Sequence, residues 1–151
     1  MISQDKPKIP EEFAQSAGYM LNQTAQVISE MVTAALEPLK LAPFEFGLMR
    51  VISVAGPVSQ QTFADRYNID RTMVTGLVDG LEKRGFVDRH KSTEDRRVNL
   101  LHLTPLGKRV LTRALREVKK AQANFLAPLS EEEWHGMRAS LVKLLEAHRT
   151  F

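Results

Sequence analysis

The chain has 151 residues, 43% hydrophobic and 26% charged, which is enough apolar material for one folded domain and excludes a disordered chain. It has no cysteine, so disulfide frameworks, thiolate metal sites and thiol-oxidation sensing are all excluded. Lys and Arg total 21 against 18 Asp and Glu, a net charge of +3 that is compatible with nucleic acid without demanding it.

Residues 1–10 are polar and carry Pro7 and Pro10, which reads as a flexible lead and not as a signal peptide. No run approaches the roughly 18 apolar residues of a membrane span, so a soluble, cytoplasmic protein with no membrane partner is expected. From Glu11 onward Phe13, Ala17, Met20, Leu21, Thr24, Ile28, Met31 and Ala35 recur at steps of three and four. That spacing predicts one long helix, ended by Pro38. A second helix is predicted from Pro43 through Phe44, Phe46, Leu48, Met49, Val51 and Ile52 to the breaker Gly56-Pro57. Ser59 is placed to cap a short helix through Phe63, Ala64 and Tyr67. After a tight turn at Asn68-Ile69, Asp70 caps a further helix to Arg84, and Gly85 takes the position of a C-terminal cap.

Residues 86–91 and 97–103 read as two strands, with a polar hairpin tip over 92–96. Thr104-Pro105 opens a helix to Leu126, with Leu111, Ala114, Leu115, Val118, Ala121 and Phe125 on its apolar face. Pro128 breaks it. Ser130 and Glu133 form a capping box for a last helix, whose inner face is Trp134, Met137, Leu141, Leu144 and Leu145. The predicted fold is mainly α with a small β-hairpin wing: a winged helix-turn-helix flanked by N- and C-terminal helices.

The centre of this pattern points to DNA. A helix that enters the major groove needs short polar side chains in its first turn, and its amide end favours phosphate. Arg71, Thr72, Met73 and Thr75 occupy that turn, with Val74, Leu77, Val78 and Leu81 facing the core. Met73 is the one of these with an alternative, packing inward. At the hairpin tip Arg96 and Arg97 suit a narrow minor groove, where negative potential concentrates. Arg89, His90 and Lys91 on the rising strand are placed to meet phosphates.

The wing carries the most specific signal. Asp95-Arg96-Arg97-Val98-Asn99-Leu100-Leu101-His102-Leu103-Thr104-Pro105-Leu106-Gly107 matches D-x-R-x-x-x-L-x-L-T-x-x-G at every fixed position, and so resembles the MarR family of bacterial transcription regulators. The run Leu77 to Arg89 is similar to that family's recognition helix leading into its wing, and Leu41 to Phe46 to the entry of its second helix. The resemblance implies a homodimeric, cytoplasmic repressor of a palindromic site on double-stranded DNA. It implies a division into a lead (1–10), a dimerisation helix (11–40), a winged helix-turn-helix DNA-binding region (41–104) and C-terminal dimerisation helices (105–151). Arg97 becomes the wing arginine of the minor groove, Asp95 its brace, and Thr72, Met73 and Thr75 the residues facing bases. A small effector, in this family often a phenolic or other aromatic anion, is implied near Met31, Phe44, Met49 and Leu111. The sequence departs from the pattern at Gly76, where many members carry a large polar or basic residue. Either the backbone approaches DNA or another helix closely there, or base readout is thinner.

Blander explanations exist for each feature. A basic hairpin tip is also an ordinary solvated turn, with Asp95 in a surface ion pair of little worth. Glu131, Glu132 and Glu133 are explained as favourable charge at a helix N-terminus. The four histidines, His90, His102, His135 and His148, never stand four apart on a helix, and no phosphate loop or nucleophile elbow is present. No cofactor, no metal and no enzymatic activity are therefore expected. The competing function is a winged-helix protein–protein interaction module without specific DNA binding, which predicts a wing and recognition turn lacking their arginines.

Overall fold

Capping side chains set most of the element boundaries in the computed structural model, which describes residues 10–148. The predicted first helix is broken near its start, into α1 (Glu11–Ala14) and α2 (Ala17–Leu36). The cause is Ser16, whose hydroxyl accepts the Tyr19 amide at 3.4 Å and so begins a new helix inside an apparently continuous pattern. Pro38 lies in a 3-10 turn over Glu37–Leu39, and Lys40 turns the chain in the left-handed region at φ 50°. Pro43 then opens α3 (Pro43–Ala55), with the Glu45 carboxylate accepting the Ala42 amide at 2.9 Å.

A two-residue strand that the sequence pattern did not predict, β1 (Val58–Ser59), precedes α4 (Gln60–Tyr67). The Ser59 hydroxyl caps α4 through the Thr62 amide at 3.0 Å. Asn68, left-handed at φ 49°, makes the tight turn into α5 (Arg71–Lys83). Gly85, at φ 70°, ends that run, with the Phe86 amide donating back to the Leu81 carbonyl at 2.9 Å. The wing follows as β2 (Val87–Lys91) and β3 (Asn99–Leu103), and the chain closes with α6 (Pro105–Leu126) and α7 (Glu131–His148). Ser130 and Glu133 complete the reciprocal box expected of them: the hydroxyl accepts the Glu133 amide at 3.2 Å and the carboxylate accepts the Ser130 amide at 2.7 Å. Those bonds hold the Glu133 carboxyl below the usual carboxylate range.

The three strands form one antiparallel sheet in the order β1-β3-β2, with Val58 opposite Leu101, Val87 opposite Leu103 and Lys91 opposite Asn99. The second wing strand starts at Asn99, two residues later than expected. Asp95 explains the delay, because its carboxylate accepts the Arg97 amide at 2.9 Å and its carbonyl the Val98 amide at 2.9 Å. Those amides close a turn and are unavailable to a ladder.

The core sits where these elements meet. Leu36, Leu48, Met49, Val74, Val78, Leu81, Val87 and Leu101 are fully enclosed, each worth roughly 1.5–3 kcal/mol of burial. α6 buries Leu111, Ala114, Val118 and Ala121 as predicted, with Leu115 and Phe125 half-buried. Its first turn is held hard against the end of the α5 run. The Thr104 hydroxyl donates to the Gly85 carbonyl at 2.6 Å and accepts the Gly107 amide at 2.9 Å. A Cβ on Gly107 would lie 2.0 Å from the Phe86 carbonyl oxygen, so only glycine fits.

The two ends depart from expectation. Of the predicted stripe on the first helix, Phe13, Met20 and Leu21 are exposed and Ile28, Met31 and Ala35 only half-buried; α2 encloses Leu36 alone. Likewise α7 buries none of its residues: Trp134, Met137 and Leu141 are half-covered, Leu144 and Leu145 exposed. The periodicity marks apolar faces correctly, but the described residues of a single chain do not cover them.

Candidate nucleic-acid interface

The N-terminal turn of α5 presents the side chains singled out in the sequence. Arg71, Thr72, Met73 and Thr75 are exposed, while Val74, Val78 and Leu81 are buried and Leu77 half-buried on the opposite side. Met73, 43% exposed, points outward, which resolves its alternative. One expectation needs correction. The amides at this end are not open to an anion, because the Asp70 carboxylate already accepts Thr72 N–H at 2.8 Å and Met73 N–H at 3.1 Å. The turn is a presented set of side chains, not an anion cradle.

Thr75 is held from two sides. Its hydroxyl donates to the Arg71 carbonyl at 2.9 Å and accepts the Gln60 side-chain amide at 3.2 Å. One turn on from Thr72, Gly76 has no atom of the described residues within 4 Å of where a Cβ would stand. Close packing of another helix is thus not why residue 76 is a glycine. Gly80 differs, since the Glu45 carboxylate lies 3.5 Å from its missing Cβ. That carboxylate also pairs with Arg84, whose guanidinium donates further to the Gly80 and Lys40 carbonyls and sits over the Phe86 ring. The C-terminal end of α5 is thereby fixed to α3 and to the turn that precedes it.

At the wing tip the Arg97 side chain is 91% exposed and braced by Asp95, which accepts its Nε at 3.2 Å and Nη2 at 3.3 Å as well as its backbone amide. The Arg97 guanidinium beside Asp95 holds that carboxyl below its usual range. Ser92 organises the tip from the other side, its hydroxyl accepting the amides of Glu94 and Asp95. Arg96 and Lys91 are exposed nearby.

Arg89 is arranged differently from its neighbours. Its side chain is only 21% exposed and is bonded to Asp79 and Glu82 of α5 and to Gln60 of α4. The guanidinium is matched by two carboxylates, so it does not stand free for a phosphate as the sequence suggested. Sequence reasoning missed this group, and Gln60 with it. The available signal was Asp79 and Glu82, two acids one turn apart on a helix meant to approach DNA, a sign of charge that calls for a cation.

His90 and His102 stack across the wing with ring centroids 4.6 Å apart. Among the described residues no group of three or more His, Asp or Glu could hold a metal, and no helix is long and apolar enough to cross a membrane. Of the residues near which an effector is implied, Met49 and Leu111 lie in the core, Met31 is half-buried and Phe44 faces outward. An open cleft of about 300 Å³ lies instead between the end of α3 and the wing, lined by Ile52, Pro57, His102, Leu103 and Lys108 among others.

Residues 41–98 match the family model described as the MarR family. The chain is 33% identical over 133 residues to the HTH-type transcriptional regulator YdcH of Bacillus subtilis, itself uncharacterized, covering 85% of this chain and 90% of that one. It is also 33% identical over 106 residues to a protein of Thauera aromatica named as a regulator for the hcr operon, across 70% of this chain but only 61% of that protein's length. Among solved structures, the transcriptional repressor CouR bound to a 23-mer DNA duplex superposes with a TM-score of 0.82 at 25% identity, over 91% of this chain and 98% of that one. With an exposed recognition turn, a braced wing arginine and a relative matched along nearly its whole length, the chain belongs to the MarR family of transcription regulators.

Proposed function

We propose that the protein is a homodimeric, cytoplasmic repressor that binds a palindromic operator and is released from it by a small ligand. The observation that carries DNA binding is the wing: Arg97 is almost wholly exposed yet held in one geometry by Asp95, beside a recognition turn whose polar side chains all face out. In this reading Arg97 enters the minor groove with Arg96 beside it, Arg71 and Lys91 meet phosphates, and Thr72, Met73 and Thr75 face bases. The repressor role is supported by likeness to CouR, a repressor solved on DNA.

Dimerisation is supported by the uncovered apolar faces at both ends, within 11–40 and 105–151, which a second copy would bury. The cleft at the wing base sets the ammonium of Lys108 and the imidazole of His102 beside the apolar walls Ile52 and Leu103, a lining suited to an aromatic anion. Release follows if the bound ligand favours a spacing of the two lobes that cannot span successive major grooves, about 34 Å apart.

Selection of genomic fragments on the purified protein, followed by salt titration of the best fragment, tests this reading. A palindrome should be enriched, and Arg97→Ala should weaken its binding and lower the salt slope by about one. No enrichment, with only weak sequence-independent binding, would favour the interaction-module alternative. An unchanged Arg97→Ala slope would remove the wing from the interface.

A further inference from the structure

We propose that Arg89 and Gln60 are positioning residues: they do not touch DNA, but together fix the orientation in which Thr75 meets a base. This rests on the DNA-binding reading above and adds to it a relay and a base preference. The relay starts on β2. Arg89 Nε donates to the Gln60 side-chain oxygen at 3.1 Å, while Nη1 and Nη2 donate to Glu82 and Asp79. Three directions of one planar guanidinium are thus tied to the first residue of α4 and to two successive turns of α5. Gln60, its oxygen held, must turn its amide hydrogens the other way, and one of them reaches the Thr75 hydroxyl at 3.2 Å. Thr75 in turn donates its own proton to the Arg71 carbonyl at 2.9 Å.

The chemistry that remains for DNA follows by elimination. A threonine hydroxyl has one proton and two lone pairs. The proton is committed to Arg71 and one lone pair to Gln60, so Thr75 offers a base only an acceptor and a methyl group. It therefore suits the amino groups of adenine or cytosine, or the thymine methyl, and disfavours the paired acceptors of guanine. Without the relay the hydroxyl is free to rotate and donate, and this preference disappears.

The test compares wild type, Arg97→Ala, Arg89→Lys, Gln60→Ala and the Arg89→Lys/Gln60→Ala double variant on the selected operator across a salt series. Lysine keeps the charge a phosphate would need but cannot reach three partners in one plane. Arg89→Lys and Gln60→Ala should each lose about tenfold in specific affinity. Their non-specific binding and salt slope should stay as in wild type, and base preference opposite Thr75 should relax. The double variant should be no weaker than the weaker-binding single, because both changes break one chain of bonds. Wild-type affinity in Arg89→Lys would make Arg89 a simple phosphate contact, and additive losses would break the relay; either overturns the proposal. Hydrogen exchange of the DNA-free protein provides an arm independent of binding: α5 and β2 amides should exchange faster in Arg89→Lys. Unchanged exchange would overturn the brace even if every variant bound DNA, whereas absent specific binding by wild type would sink the DNA reading instead.

Discussion

In the lobe between Pro43 and Leu103 the apolar side chains of one element find their partners within the same chain: Leu48 and Met49 of α3, Val74, Val78 and Leu81 of α5, and Val87 and Leu101 of the wing are all enclosed. At the ends, Phe13, Met20, Leu21 and Val27 near the N-terminus and Val142, Leu144 and Leu145 near the C-terminus remain exposed. The sequence patterns of the two regions look alike, with the same helical spacing of the same residue types. What separates them is whether a second element of the chain folds over the stripe. Periodicity reports that a face is apolar; it does not report which molecule covers it.

The largest expected effect breaks this comparison directly. Replacing Leu144 and Leu145 together by glutamate would be nearly silent if α7 faced only water, where surface changes stay within about 0.5 kcal/mol. If a second copy covers that face, the pair should cost about 2–4 kcal/mol of association and turn a dimer into monomers by sedimentation equilibrium. Retention of the dimer would contradict the assignment of 105–151 to dimerisation. Within the lobe, Gly107→Ala forces a Cβ into the Phe86 carbonyl and should lower stability by about 3 kcal/mol. A melting temperature equal to wild type would mean that α6 does not sit where it is described.

Gly76→Ala has the opposite sign. With open space at the Cβ, alanine should raise stability by up to about 1 kcal/mol through helix propensity alone, and a loss would reveal packing that the single chain lacks. Operator affinity of the same variant separates the two remaining reasons for the glycine: a fall means close backbone approach to DNA, no change means thinner readout. The smallest effect concerns Asp95. Its carboxyl is held below the usual aspartate value of 3.8, first by the Arg97 side chain and then by the Arg97 amide. A lowered folded pKa means that the brace is complete above the unfolded value and lost only as pH falls through the lower folded one. Carbon NMR titration should find the Asp95 midpoint below 3.8 and moved upward in Arg97→Ala; a midpoint indifferent to Arg97 would deny the brace.

Much of this architecture was legible because local chemistry writes it in short words. Ser59, Asp70, Thr104 and Ser130 each cap the helix that follows them, and Pro43, Gly85 and Pro105 stand at helix ends as their backbone preferences require. The misses share another character. β1 is two residues long and has no period to read, and its partners on β3, Leu101 for Val58 and Leu100 for Ser59, lie about 40 positions away along the chain, beyond any local cue. The break at Ser16 hides among residues that would continue a helix. Arg89 was read by its charge and its place on the wing, but its partners come from α4 and α5, and only folding brings them together.

The vacancy at Gly76 has a consequence for how such a protein can change. Most positions on a recognition helix serve the fold and the groove at once, so a new side chain risks both. At residue 76 nothing among the described residues depends on the absence of a side chain, and almost any replacement is a better helix former than glycine. Selection for a different operator could therefore act there through variants that all remain folded, which makes this one position a place where regulatory targets can drift while the scaffold stays constant.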